Sequence, residues 1–318
     1  MAVNQLHINL SKCAHMYFRP NFNNTERTTC ARSKIYDKAC ILSLNGKKVK
    51  KVDKIKFLGV IIDDKLSWDD QIKHIENKLL TTIVLVKRLK KFVPSSQYMK
   101  IYHSLFESHL TYGISCWGGC YKSKLHKIFG IQKRCIRILF GESYSFDHPE
   151  YYYSCARTKT YAEHMAPKDF TLEHTKPLFI KHRLLTMHNL YILRSLTELL
   201  KIIKYHSPIS IYQFLNFSRS PSLRLQEPCI KLQISKRNYI CSAIKLWNLC
   251  FSKIFNPPIL SVKPTSKGSQ QIISGSVKNS DMTIPIELFK KRLCDLLLEI
   301  QMKGNSQEWV NENLLVIA

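Results

Sequence analysis

Ile55-Lys56-Phe57-Leu58-Gly59-Val60-Ile61-Ile62-Asp63-Asp64-Lys65-Leu66-Ser67-Trp68 is the stretch on which the reading of this chain turns. Residues 55–62 form an apolar run of strand length. The pattern then changes at Trp68. Over residues 69–92 the apolar positions Ile72, Ile75, Leu79, Ile83 and Val86 recur at helical spacing. Ser67 or Asp69 suits the start of that helix. Asp69, Asp70 and Glu76 lie in its first half and Lys87, Arg88, Lys90 and Lys91 in its last turns, the distribution a helix dipole favours. Pro94 ends it. A strand followed directly by a long helix places the chain at a junction between a β region and an α region.

Upstream of the stretch the signals are those of strands. Leu6, Ile8 and Leu10 alternate with polar residues, and residues 16–18 offer a second short run. Residues 21–38 are polar and read as a loop. Asn45-Gly46 between apolar-containing runs predicts a hairpin, because both residues tolerate the positive φ of a type I′ turn.

Downstream they are those of helices. Ser95 or Ser96 starts a second helix with Tyr98, Ile101, Tyr102 and Leu105 on one face, and Gly113, Gly118 and Gly119 break it. A third helix runs over 123–140, and Gly141 stops it. Residues 142–176 are irregular. Residues 178–205 form a strongly apolar helical segment, straight or bent, and 207–228 are rich in turn formers. A helix over 236–251 aligns Ile240, Ile244 and Trp247. Residues 256–281 hold Pro257, Pro258, Pro264 and many Ser, Lys and Gly, the composition of a flexible loop. Pro285 then opens a late helix carrying Leu288, Leu293, Leu296 and Ile300. The fold class is α+β, a short β region followed by a mainly helical remainder.

Charge narrows the function. Lys and Arg number 49 against 23 Asp and Glu, a net of +26, which attracts polyanions over long range. No carboxylate falls between Glu76 and Glu107, where Lys78, Lys87, Arg88, Lys90, Lys91 and Lys100 lie. None falls between Glu227 and Asp281, against eight Lys and Arg. Such one-sided blocks face phosphates better than they pair internally. Nucleic acid is the first partner implied and an anionic membrane surface the second; solvated basic faces are the plain alternative. The most apolar segment, 178–205, is interrupted by Lys181, Arg183, Arg194, Lys201 and Lys204, so no membrane span is expected. The N-terminus has no signal-peptide pattern, and an intracellular protein of nucleus or cytoplasm is the simplest expectation. The 11 cysteines, an odd number, argue for reduced thiols. Cys116 and Cys120, with His109 and His126 nearby, make a zinc site conceivable, but no second closely spaced pair completes it.

Several motifs occur in a fixed order: Asn9-Leu10-Ser11-Lys12 with Met16-Tyr17-Phe18, then Phe57-Leu58-Gly59, Tyr112-Gly113 with Trp117, residues 132–141, Leu246-Trp247-Asn248 and Phe289-Lys290-Lys291. Together they resemble the C-terminal part of the reverse transcriptases of non-LTR, LINE-type, jockey-like retrotransposons. Cys13 departs from the Thr usual in the first motif. The resemblance implies four regions. Residues 1–66 end a palm with a primer-grip hairpin at Phe57, Leu58 and Gly59, and 67–141 form a helical thumb. Residues 142–177 connect, and 178–318 form a C-terminal helical region with a loop near 256–281. It also implies that the family's catalytic carboxylates belong before Met1, and that Lys12 sits where family members hold a lysine near the nucleotide phosphates. Mg2+ is then expected only in an intact polymerase, with no cofactor or metal of this chain's own.

Asp63-Asp64 superficially looks like the adjacent aspartates that hold two catalytic metal ions. Only Glu26, Asp37 and Asp53 precede it, none suited as a third ligand, so a strand-to-helix corner is the expected role. On the third helix Lys127, Arg134 and Arg137 cluster at spacings of seven and three, a candidate duplex-backbone contact beside Lys87, Arg88, Lys90 and Lys91. Tyr98, Tyr102 and Trp117 are candidates for base stacking, or simply core. The expected function is sequence-tolerant binding of RNA, RNA–DNA hybrid or DNA by a truncated polymerase without its catalytic turn. A basic helical protein-interaction scaffold and a domesticated nucleic-acid-binding protein are the alternatives.

Overall fold

A computed structural model describes residues 9, 12–18, 42–44, 46–141, 175–216, 224–229, 238–255 and 285–303. The alternating segment at Leu6 to Leu10, the loop at 21–38, most of the irregular connection at 142–176 and the loop at 256–281 lie outside the described residues. What is described is α+β and mainly helical, and it divides into two compact units, Met1–His74 and Ile75–Ala318.

The first unit carries the strands. β1 (Ala14–His15) pairs in parallel with β4 (Lys50–Lys51), and β2 (Ser43–Leu44) pairs antiparallel with β3 (Lys47–Lys48) around Gly46, whose φ is 74°. β5 (Lys54–Phe57) and β6 (Val60–Asp63) form the longest hairpin, with Phe57 opposite Val60 and Lys54 opposite Asp63. Its turn is Leu58-Gly59, with φ of 45° and 86°. Positive φ at both central residues matches the right-handed twist of the strands. Glycine takes that conformation freely, whereas Leu58 accepts a steric cost.

β6 passes into α1 (Asp69–Lys90) through a tight corner at which Leu66 and Trp68 take φ of 50° and 64°. Gln71, buried in the first turn of α1, accepts a 2.8 Å hydrogen bond from the Ile61 amide and so fixes strand against helix. Ile72, Ile75, Leu79, Ile83 and Val86 are all buried, the stripe expected from their spacing.

The second unit is helical. α2 (Tyr98–Ile101), a π turn (Tyr102–Glu107) and α3 (Ser108–Thr111) form one continuous rod. The sequence puts Tyr98, Ile101, Tyr102 and Leu105 on one face. Of these Tyr102 is buried, and Phe106, Leu110 and Ile114 follow it at intervals of four residues. A regular helix turns in 3.6 residues, so a four-residue repeat drifts around it; the wider π turn absorbs part of that drift. α4 (Ile114–Trp117) starts after Gly113, at φ 61°, and buries Trp117, whose Nε1 donates to the Tyr112 carbonyl at 3.0 Å. At Gly118 a methyl group would collide with the Tyr191 ring, so only glycine permits that approach.

α5 (Lys122–Phe140) and the central helix α7 (Met187–Tyr205) build the core with α9 (Tyr239–Phe255) and α10 (Ile286–Lys303). The sequence reads 178–205 as a helical segment, straight or bent. It is two helices, α6 (Lys176–Lys181) and α7, joined by a connection in which Arg183 takes φ 51°. Two buried glutamines hold that connection. Gln132 of α5 donates to the Leu185 carbonyl at 3.0 Å and the Tyr102 hydroxyl at 2.9 Å, and accepts from the Met187 amide at 2.8 Å. Gln301 of α10 donates to the Leu184 carbonyl at 3.1 Å and accepts from the Thr186 amide at 3.3 Å and the Asn189 side chain at 3.0 Å. The buried face of α10 is Phe289, Leu293, Leu297 and Leu298, while Leu288 is 40% exposed. A short α8 (Ile209–Tyr212) follows α7.

Candidate nucleic-acid interface

The β5–β6 turn presents what the sequence assigned to a primer grip. Phe57 and Leu58 are 61% and 76% exposed, and Gly59 completes the turn. An apolar pair held at a hairpin tip by strand pairing is available for contact rather than for the core. Lys12 lies in a short turn, its amide donating to the Asn9 carbonyl at 3.1 Å, and its side chain is exposed.

Asp63 is a corner residue. Its two carboxylate oxygens accept the amides of Ser67 at 2.8 Å and Trp68 at 3.0 Å. Burial alone would raise its pKa; those amides outweigh burial and hold the carboxyl below its ordinary value. The Asp64 amide donates to the Asp53 carbonyl at 2.9 Å, tying the corner to the start of β5. Asp70 lies 3.5 Å from Lys54. Each Asp63 oxygen is thus engaged by a backbone donor, and among the described residues no group of three or more His, Cys, Asp or Glu converges as metal ligation needs. Among the described residues no such group forms around Asp63-Asp64 or around Cys116 and Cys120.

The basic residues of the helices separate by burial. Arg88, Lys91 and Lys127 are exposed, while Lys87, Arg134 and Arg137 are half-buried, the last two with buried Nε atoms. Lys90 departs from the phosphate-facing role the sequence assigned. Its ammonium donates to the Ile138 carbonyl at 2.6 Å and lies 5.8 Å from the Tyr98 ring centroid. Ile138 is in the last turn of α5, where carbonyls lack helical partners, so Lys90 caps a neighbouring helix. Burial lowers its pKa accordingly. Tyr102 and Trp117 are fully buried and belong to the core, which removes them as stacking platforms; Tyr98 is half-buried, its ring edge-on to Phe140.

Sequence reasoning passed over the densest basic feature. Lys47, Lys48, Lys50, Lys51, Lys54 and Lys56 fall within ten residues, and every one is exposed. The lysine run is visible in the letters themselves, of which only 47–49 enter the expected Asn45-Gly46 hairpin and 55–56 the apolar run.

The chain is 27% identical over 139 residues to the RNA-directed DNA polymerase from mobile element jockey of Drosophila melanogaster. The match covers 42% of this chain and 13% of that protein, so the chain corresponds to a small part of the relative's length. No family model matches the chain, and no solved structure matches it. The partial match relates the chain to the reverse transcriptases of non-LTR mobile elements and gives it a polymerase-related origin. No helix among the described residues is long and apolar enough to cross a membrane.

Proposed function

We propose that this chain is a reverse-transcriptase-derived nucleic-acid-binding protein, holding RNA, RNA–DNA hybrid or DNA by its phosphates and not carrying polymerase chemistry alone. The partial match to an RNA-directed DNA polymerase carries the reading. The net charge of +26 supports it, since counterion release drives polyanion binding whatever the sequence. In this reading residues 1–66 are the end of a palm, 67–141 a thumb and 178–318 a C-terminal helical region. Phe57, Leu58 and Gly59 lie against a primer end, and Lys12 lies near phosphates. Lys87, Arg88, Lys91, Lys127, Arg134 and Arg137 add positive field, while Lys90 serves the fold. In this reading Asp63 serves the strand-to-helix corner by accepting the Ser67 and Trp68 amides.

The test compares unrelated duplexes of one length by fluorescence anisotropy, with primer extension on the same samples. Equal affinities within about threefold are expected, because phosphate contacts do not report base identity. Extension by the wild-type chain that Asp63→Asn with Asp64→Asn abolishes would overturn the non-catalytic reading. Strong preference for one duplex sequence would overturn the phosphate reading.

A further inference from the structure

We propose that the lysine run of the first unit, residues 47–56, is the principal phosphate-contact surface of this chain. The inference rests on the proposed nucleic-acid function and names the surface that performs it.

The run has a definite construction. Its six lysines are exposed, whereas Val49, Val52 and Ile55 between them are half-buried. The apolar residues anchor the segment, and the lysines are left outward on β3, β4 and β5. Asp53 is the one carboxylate in the interval. On β5, Lys54 and Lys56 share a face, because alternate strand residues do, and they stand roughly 6.8 Å apart at ordinary strand rise. Each lysine-bearing strand is paired in its own two-stranded sheet: β4 with β1, β3 with β2 and β5 with β6. A duplex presents about one charge per 1.7 Å of its axis, so closely spaced ammonium groups meet several phosphates without reading bases.

The helical basic residues are more scattered and only partly exposed. Arg88, Lys91 and Lys127 are exposed, but Lys90 donates to the Ile138 carbonyl, and Arg134 and Arg137 are half-buried with buried Nε atoms. Lys54 lies 3.5 Å from Asp70, an exposed pair that a phosphate can displace, and exposed lysines release counterions from a duplex on contact. The apolar tip at Phe57 and Leu58 beside the run raises an anionic bilayer as a rival. Two exposed apolar side chains form a small anchor, however, and the relative is a polymerase of nucleic acid.

The experiment measures the salt dependence of duplex binding by the full chain. It compares the wild type with two variants. One is Lys47→Gln, Lys48→Gln, Lys50→Gln and Lys51→Gln together. The other is Lys127→Ala, Arg134→Ala and Arg137→Ala together. Each phosphate contact contributes about 0.9 to the slope of log affinity against log salt. The lysine variant should lose about 2 or more from the slope, and the helix variant less than about 1. Arginine at the same four positions should restore the slope. Acetylation footprinting of the wild type needs no variant to fold: residues 47–56 should be shielded by duplex. An unchanged slope in the lysine variant, or shielding only elsewhere, overturns this surface while leaving nucleic-acid binding intact. Absence of wild-type binding at low salt overturns the proposed function itself. Binding to phosphatidylserine vesicles in preference to duplex overturns the choice of partner.

Discussion

Replacing Gln132 with leucine should be among the most damaging single changes in the helical unit, and the hydrogen-bond geometry says by how much. Gln132 is fully buried and serves three partners: the Tyr102 hydroxyl, the Leu185 carbonyl and the Met187 amide. Met187 is the first residue of α7, so its amide has no carbonyl one turn back to receive it. Leucine has similar bulk but no polar atom, so it strands all three groups out of water. A stranded buried group costs about 1–3 kcal/mol, and three would sum to more than a single substitution usually costs. Allowing for relaxation and for the added apolar surface, a loss of about 4 kcal/mol is expected. Gln301→Leu should cost a similar amount, because Gln301 grips the same connection from α10 through Leu184, Thr186 and Asn189. Since both grip one segment, the double variant should lose less than the sum of the singles. Equilibrium urea unfolding followed by circular dichroism measures each value. A Gln132→Leu loss under about 1 kcal/mol, or strict additivity in the double variant, would refute the account of a doubly held connection.

Three further outcomes are expected. His188 is buried beside Phe129, and burial, followed by His126, Lys122 and Lys133, lowers its pKa from 6.5 to about 4. Its folded pKa lies below the unfolded value, so its share of stability is intact above pH 6.5 and is lost as pH falls toward 4. Linkage gives about 2 kcal/mol lost between pH 7.5 and pH 5, and a His188→Gln variant should show a flatter profile over that window in urea melts. Lys90→Met should lower stability by about 1–2 kcal/mol through the lost cap at Ile138 yet leave duplex affinity within about twofold, read by unfolding and anisotropy on one preparation. Asp63→Ala should cost about 1–2 kcal/mol through the two freed amides, seen as faster hydrogen exchange at Ser67 and Trp68. Because the Asp63 pKa is lowered, its contribution is present above the ordinary 3.8 and fades as pH falls below it, so wild type and variant should converge in acid.

What was legible in the sequence follows from how local each cause is. The α1 stripe of Ile72, Ile75, Leu79, Ile83 and Val86 was readable because these five recur at helical spacing, even though Leu80, Val84 and Leu85 interrupt the polar face and stay exposed. The Asp63 corner was readable as well, since its bonds reach only to Ser67 and Trp68. The break between α6 and α7 was not, because it carries no Gly and its geometry is fixed by Gln132 and Gln301, 53 and 117 residues from the carbonyls they hold. On α10, apolar residues at 286, 288, 289, 293, 296, 297, 298 and 300 surround the helix, so spacing alone could not select the face that contains Phe289. The fate of Lys90 depends on a carbonyl 48 residues away, which no local pattern encodes. The exposure of Phe57 and Leu58 followed from neither hydrophobicity nor periodicity; it comes from the Leu58-Gly59 turn that lifts them to the tip.

The most direct test of the central claim is the affinity of the full chain for an RNA–DNA hybrid, measured by anisotropy at salt concentrations from 50 to 200 mM. A surface that neutralises about five phosphates predicts a log–log slope of about −4 or steeper, with little change when the hybrid sequence is altered. Absence of binding at the lowest salt, or binding that ignores salt, would contradict it.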